Sequence, residues 1–89
     1  MDIGVEISLY PLREAFIPTI QSFIDRLNAD GRVQSGALKV ITNSMSTQLF
    51  GSYDAVFGLL QREMAPTFAE DGKAIFVMKF LGPLQPAGD

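Results

Sequence analysis

Two short stretches of this 89-residue chain carry most of the side chains that could take part in chemistry. In the first, Glu6, Ser8 and Tyr10 alternate with apolar residues, which predicts a carboxylate, a hydroxyl and a phenol in a row on one face of a strand. The second is the run 42–51, TNSMSTQLFG, the densest set of small polar residues in the chain. These groups donate and accept hydrogen bonds, so they suit the binding of a small polar or cationic ligand.

The composition leaves few routes to catalysis. The chain has no cysteine, which excludes disulfides and thiolate metal sites, and no histidine, which removes the commonest metal ligand and the usual general base. The nearest catalytic constellation is Glu6 with Lys79 and the hydroxyls of Ser8 and Ser46. No nucleophile has an evident base beside it, and neither a GxxxxGK nor a GxGxxG loop is present. We therefore expect no catalytic residues, no metal site and no cofactor.

Charge and hydropathy argue against other classes of partner. Ten acidic and seven basic residues give a net charge of −3, whereas a nucleic-acid-binding protein needs a basic face. No apolar run approaches the roughly 18 residues of a membrane-spanning helix, and the first residues lack the features of a signal peptide. Hydrophobic residues make up 47% of the chain. We expect a cytoplasmic protein that buries part of this apolar surface by forming a homo-oligomer.

Hydrophobic spacing predicts one domain over residues 1–82, followed by a C-terminal tail at residues 83–89. Strands alternate apolar and polar residues, and helices repeat apolar residues at three- and four-residue steps. The predicted strands span residues 3–9, 37–42, 45–50 and 73–81, and the predicted helices span residues 13–28 and 53–65. The first helix should bury one apolar stripe, formed by Phe16, Ile17, Ile20, Phe23, Ile24 and Leu27. In the second helix, Gln61, Arg62 and Glu63 are expected to be solvated.

Capping and helix-breaking residues refine these bounds. Pro18 is compatible with the first helix only in its first turn, so the ordered helix should begin near residue 17. Gly31 suits a left-handed cap after this helix, and residues 32–36 are expected to form a loop. Ser52 is a good N-cap for the second helix, and Pro66 is expected to break or kink it.

The order strand, helix, strand, strand, helix, strand predicts an α+β, ferredoxin-like βαββαβ sandwich. Its four-stranded antiparallel sheet would have the first and third strands in the centre and two helices on one face. The helix-covered face would take Val5, Ile7, Leu9, Thr47 and Leu49. The open face would take Glu6, Ser8, Tyr10, Ser46, Gln48 and Phe50.

The last strand is apolar on both faces apart from Lys79. We place Ala74, Phe76, Met78 and Phe80 towards the helices, and Ile75 and Val77 with the lysine on the open face. A strand in a two-layer domain needs only one apolar face, so a second copy of the chain packed sheet to sheet would cover the other.

Each candidate residue also has a purely structural explanation. A carboxylate in the middle of a central strand is costly to bury alone. Glu6 therefore pairs with Lys79, stands in solvent, or meets an amino-bearing or cationic ligand. Tyr10 and Phe50 either fill an interface or stack on a flat ring. The polar residues of the hairpin are either ordinary strand and turn residues or ligand contacts: Asn43, Ser46, Thr47 and Gln48.

The same stretches resemble the YkoF-like thiamine-binding family. The resemblance is carried by EISLYPLR at residues 6–13, by TNSMSTQLFG continued by YDAV at residues 53–56, and by VMKF at residues 77–80. It implies a ferredoxin-like fold and non-catalytic binding of thiamine or its hydroxymethylpyrimidine half, tied to uptake or salvage. Some members of that family carry two such domains in tandem. A single-domain chain would rebuild that arrangement by pairing two copies sheet to sheet, as a dimer or tetramer.

The resemblance also implies a site. The predicted ligand-binding residues are Glu6, Ser8, Tyr10, Asn43, Ser46, Thr47, Gln48 and Phe50. Glu6 would meet the pyrimidine or the thiazolium cation, and Tyr10 and Phe50 would flank a ring. Two alternatives stay open, because a fold does not define a function. One is a structural or regulatory homo-oligomer whose open sheet makes only subunit contacts, and the other is a small enzyme with a sheet-side pocket.

Overall fold

A computed structural model describes residues 1–84 of the chain. Its elements are β1 (Asp2–Pro11), α1 (Phe16–Ala29), α2 (Gly31–Gln34), β2 (Lys39–Thr42), β3 (Thr47–Ser52), α3 (Tyr53–Asp71) and β4 (Ala74–Leu81). Most of the predicted tail, residues 85–89, lies outside the described residues. The backbone N–H of Leu84 donates to the carbonyl of Asp2 at 2.8 Å, so the chain after β4 returns to the start of β1.

The four strands form one antiparallel sheet in the order β2-β3-β1-β4. This confirms the ferredoxin-like α+β fold, with the first and third strands in the centre. The two ladders of β1 differ in extent. Its pairing with β4 runs from Gly4 to Pro11, whereas its pairing with β3 runs from Asp2 only to Ile7. The last residues of β1 therefore have a strand neighbour on one side only.

The helices cover one face of this sheet. Alternate residues of β1 and β3 point into the core, and Val5, Ile7 and Leu49 are all buried. Each such aliphatic side chain contributes about 1.5–3 kcal/mol of transfer free energy when fully buried. On β4, Phe76 and Met78 pack against the core. The predicted facing of this strand is thus confirmed.

The buried stripe of α1 differs from the predicted one at its N-terminal end. Thr19, Phe23 and Leu27, four residues apart, face the core. Phe16 and Ile17, which were predicted to extend this stripe, are exposed. They lie in the first helical turn, before the point where the inward-facing residues begin.

The two helix prolines behave differently. Pro18 occupies the third position of α1, in the first turn as predicted, where its missing N–H would have no intrahelical partner. The expectation that Pro66 ends or kinks the second helix is wrong as to its end, because α3 continues to Asp71. Proline removes a helical hydrogen bond and its ring crowds the preceding turn. Tertiary contacts must therefore hold the helix together on both sides of this residue.

Those contacts come from Arg26 of α1. Its Nη2 donates to the carbonyl of Glu63 at 2.9 Å and to the hydroxyl of Thr67 at 2.7 Å, on either side of Pro66. Its Nε lies 3.3 Å from the Glu63 carboxylate. Glu63, which was predicted to be solvated, is buried because Arg26 and Arg62 both pair with it.

The predicted loop after α1 contains the short helix α2. The Asp30 carboxylate caps it by accepting from the backbone N–H of Arg32 at 2.8 Å. The hydrogen bond from the Arg32 guanidinium and the one from the Arg32 backbone N–H lower the pKa of Asp30 from its ordinary value of 3.8. The predicted left-handed cap at Gly31 is wrong, since Gly31 begins α2. The described glycines with positive φ are Gly36 and Gly72.

The β2–β3 hairpin has a longer turn than the sequence predicts. β3 begins at Thr47 instead of Met45, because Asn43 closes a turn over residues 43–46. The Asn43 side-chain oxygen accepts from the backbone N–H groups of Met45 at 2.8 Å and Ser46 at 3.2 Å. After β3, the hydroxyl of Ser52 accepts from an N–H in the first turn of α3, which confirms the predicted N-cap.

Candidate functional site

Glu6 lies on the open face of the sheet, in the middle of the central strand. Its cross-strand neighbours are Gln48 on β3 and Lys79 on β4. The Lys79 Nζ lies 3.9 Å from one Glu6 oxygen, and the Ser46 hydroxyl donates to the other at 3.3 Å. The side chains of Glu6 and Lys79 are 45% and 81% exposed. An ion pair this exposed contributes about 0–1 kcal/mol, so the Glu6 carboxylate can exchange Lys79 for another partner at little cost in free energy.

The first concavity, which we call the open-face depression, surrounds this carboxylate. It has a volume of about 280 Å³. It is lined by Gly4, Val5, Glu6, Gln48, Phe50, Lys79, Phe80 and Leu81. Three of the predicted ligand-binding residues thus meet here, with one acid and one base between mainly apolar walls.

The second concavity, which we call the strand-end crevice, lies where β1 runs past the end of β3. It has a volume of about 200 Å³, between the end of β1, the middle of α1 and the hairpin turn. Its lining residues are Ile7, Ser8, Leu9, Tyr10, Ile20, Phe23, Ile24 and residues 42–47. The other five predicted residues meet here: Ser8, Tyr10, Asn43, Ser46 and Thr47.

Ser46 connects the two concavities. It lines the strand-end crevice, and its hydroxyl donates to Glu6, which lines the open-face depression. Thr47 has a different position from its neighbours. It is 6% exposed on the helix-covered side, and its hydroxyl lies 3.2 Å from that of Thr42. The eight predicted residues therefore form two adjoining groups, and Thr47 lies on the helix-covered face, as predicted.

One wall of the crevice and one feature of the depression were not predicted from the sequence. Ile20, Phe23 and Ile24 form the apolar wall of the crevice, but their helical spacing indicated only core. In the depression, a Cβ on Gly4 would lie 2.8 Å from the ring of Phe50. A glycine inside a strand marks such a close approach, so Gly4 was a readable signal for the position of that ring.

The open face also exposes apolar side chains beyond the depression. Ile75 and Val77 of β4 are 49% and 47% exposed, and Tyr10 and Ile41 are exposed as well. Tyr10 and Ile75 are cross-strand partners, and Val77 lies two residues along the same strand, so these three form one apolar patch of the kind that can mark an interaction site. Within residues 1–84, no helix is long and apolar enough to cross a membrane. No group of three or more acidic side chains in that part of the chain could hold a metal ion.

Comparison with solved structures places this fold among small proteins of similar size. Hypothetical protein MJ1052 from Methanocaldococcus jannascii superposes with a TM-score of 0.76 at 19% identity, covering 99% of this chain and 87% of its own. A Bacillus cereus structure of the domain of unknown function DUF77 gives a TM-score of 0.68 at 15% identity, covering 93% and 77%.

A third structure carries a functional name. TM0486 from Thermotoga maritima, provisionally assigned to thiamine biosynthesis or salvage, superposes with a TM-score of 0.66 at 13% identity, covering 100% of this chain and 89% of its own. No protein-family model matches the sequence, and no curated protein matches it. At these identities the likeness shows the fold that the proteins share, and the ligand must be argued from the side chains.

Proposed function

We propose that this chain is a member of the YkoF-like family that binds thiamine or its hydroxymethylpyrimidine half without catalysis, in thiamine salvage or transport. The observation that carries the proposal is the junction at Ser46 and Glu6, where a polar crevice meets a depression that holds a carboxylate. The thiamine-related assignment of TM0486, which has the same fold, supports the choice of ligand.

The two concavities suit the two halves of thiamine. Thiamine joins an aminopyrimidine, which needs hydrogen-bond partners, to a thiazolium ring with a fixed positive charge. The depression offers the Glu6 carboxylate to the cation and the ring of Phe50 to its flat face. The crevice offers hydroxyl and amide groups to the pyrimidine. This arrangement favours Glu6 as the partner of the cation.

Binding is favoured over catalysis by the chemistry of the same residues. The nearest pair of a nucleophile and a base is the Ser46 hydroxyl and the Glu6 carboxylate at 3.3 Å. Proteins most often activate a hydroxyl with a histidine that a third group holds in place, and this chain has no histidine. We therefore assign these groups to recognition of a ligand that leaves unchanged.

A second copy of the chain would complete the site. The volumes of about 280 and 200 Å³ lie below the roughly 300–1,000 Å³ of typical ligand pockets. A partner sheet packed on Ile75, Val77 and Tyr10 would bury their exposed apolar surface and close the depression from above. The same exposed surface also favours the second candidate function, a structural or regulatory homo-oligomer whose open sheet makes only subunit contacts.

Calorimetry and a size measurement on the same preparation distinguish the two candidates. We expect thiamine and hydroxymethylpyrimidine to bind, and light scattering to report a dimer or tetramer. An oligomer that binds neither compound, nor thiamine phosphates, would support the structural candidate and overturn the ligand proposal.

A pair of variants tests whether the open face makes the subunit contact. Val77→Glu places a charge on this face and should reduce the oligomer to monomers. Ala69→Glu places the same charge on an exposed position of α3 and should leave the assembly unchanged. Equal behaviour of the two variants would show that the contact lies elsewhere.

A further inference from the structure

We propose that the strand-end crevice recognises an aminopyrimidine through main-chain groups of β1 within residues 8–10, which extend beyond the first residue of β3. This inference rests on the proposed function and assigns the pyrimidine half of the ligand to a specific subsite. The side chains around the crevice then shape the slot, while the backbone of residues 8–10 supplies the selective hydrogen bonds.

The two ladders of β1 end at different residues. The pairing of β1 with β4 continues through Ser8–Val77, Leu9–Phe76, Tyr10–Ile75 and Pro11–Ala74. The pairing with β3 stops at Ile7–Thr47. The hairpin has turned away by then, since the Asn43 N–H bonds the Ser46 carbonyl across its own turn. Within the described residues, the β3 side of residues 8–10 has no strand partner.

Strand geometry determines the direction in which the main-chain groups of residues 8–10 point. The N–H and C=O of one residue point to the same side, and successive residues alternate between the two neighbouring strands. Among residues 8–10, at least one residue therefore presents a donor and an acceptor side by side to the β3 side. That side is the crevice, which all three residues line.

The walls of the crevice limit the access of water to these main-chain groups. Ile20, Phe23 and Ile24 of α1 form the opposite wall, and Ser8 and Leu9 are only partly accessible to water. A polar main-chain group shielded from water is destabilising unless it finds a partner. A planar ligand that supplies both partners would replace the missing strand over a short length of the ladder.

The aminopyrimidine matches this pattern. Its exocyclic amino group is a donor and the adjacent ring nitrogen is an acceptor, so one edge of the ring complements a C=O beside an N–H. A crevice of about 200 Å³ has room for one substituted ring, not for the whole two-ring ligand. The group that joins the pyrimidine to the second ring of thiamine would pass Ser46, whose hydroxyl donates to Glu6. The second ring would then lie in the open-face depression.

The test is an amide NMR titration of the full chain with hydroxymethylpyrimidine and with its deaminated analogue, the pyrimidinone. Exchanging the amino group for oxygen turns this donor into an acceptor and so reverses the hydrogen-bonding pattern. We expect the amide signals of Ser8, Leu9 and Tyr10 to shift with the aminopyrimidine. The pyrimidinone should bind at least about tenfold more weakly, because its groups would oppose the main chain.

Two helix variants locate the subsite independently. Ile24→Trp should fill the crevice and abolish binding of hydroxymethylpyrimidine. Ile17→Trp makes the same change at an exposed position of the same helix, outside the crevice, and should bind normally. Thermal melts identify a variant that fails to fold, and the comparison of the two ligands on the unmodified chain then decides the question alone.

The outcomes separate this inference from the proposed function. Binding with shifts centred on Gln48 and Phe50, and with equal affinity for the pyrimidinone, would overturn the backbone subsite while leaving thiamine binding intact. Absence of binding by every thiamine-type compound would overturn both.

Discussion

Glu6 and Lys79 should affect thiamine affinity in opposite directions. Glu6→Gln keeps the length of the side chain and an oxygen that accepts from Ser46, but removes the negative charge. Lys79→Met keeps the aliphatic stem and removes the cation that lies 3.9 Å from Glu6. If the thiazolium sits beside the carboxylate, the first change weakens binding and the second strengthens it.

The magnitudes follow from distance and exposure. Two unit charges at about 4 Å interact by about 1 kcal/mol in water and about 4 kcal/mol at an effective dielectric constant of about 20. Because the Glu6 side chain is 45% exposed, we expect a loss of about 1–2 kcal/mol for Glu6→Gln, or roughly 5–30-fold in Kd. An exposed ion pair is worth about 0–1 kcal/mol, so Lys79→Met should tighten binding by at most about fivefold.

Calorimetry with thiamine and with neutral hydroxymethylpyrimidine provides the assay. Both substitutions should leave the Kd of the neutral compound within about twofold, and added salt should shrink the differences seen with thiamine. Equal thiamine affinities for wild type and Glu6→Gln would remove Glu6 from the site. An equal loss for thiamine and the neutral compound would instead place Glu6 against the pyrimidine.

Three further predictions concern stability. Asp30→Asn keeps a capping side chain on α2 but loses the charge beside Arg32. Folding lowers the pKa of Asp30 from its ordinary value of 3.8, so the ionised carboxylate stabilises the wild-type fold at pH values above 3.8. The stability advantage of wild type over Asp30→Asn, measured by urea unfolding, should therefore be full near neutral pH and disappear as pH falls through the folded pKa; a constant difference would contradict this. Leu49→Ala empties a fully buried site on the central strand and should cost about 2–5 kcal/mol by urea unfolding, whereas a loss below about 1 kcal/mol would show that the core collapses around it. Ser52→Ala removes the hydroxyl that accepts from the Ala55 N–H and should cost about 1 kcal/mol, with Ser52→Asp as the control that retains the cap.

Local periodicity in the sequence was sufficient to predict the fold. Alternation at residues 3–9 and four-residue steps in α1 indicate which side of each element is buried. These patterns can be recognised without knowing how the strands pair. The Ser52 cap is local as well, because its partner lies within one helical turn. The position of Pro18 is also local, because the first turn of a helix has no intrahelical partner for the N–H that proline lacks. The order of the four strands and the two long helices and the facing of β4 follow from these patterns, and the rule for right-handed connections then gives the sheet order.

Tertiary structure decided what depends on partners distant in sequence. Helix α3 continues past Pro66 because Arg26, from another helix, bonds on both sides of the break, and the same contact buries Glu63. The eight candidate residues divide into two concavities because β3 begins opposite Ile7, while β1 continues beside β4 for four more residues. Strand pairing and helix packing over long sequence separations set where a ladder stops and which helix wall faces the gap, and no local pattern of residues encodes either.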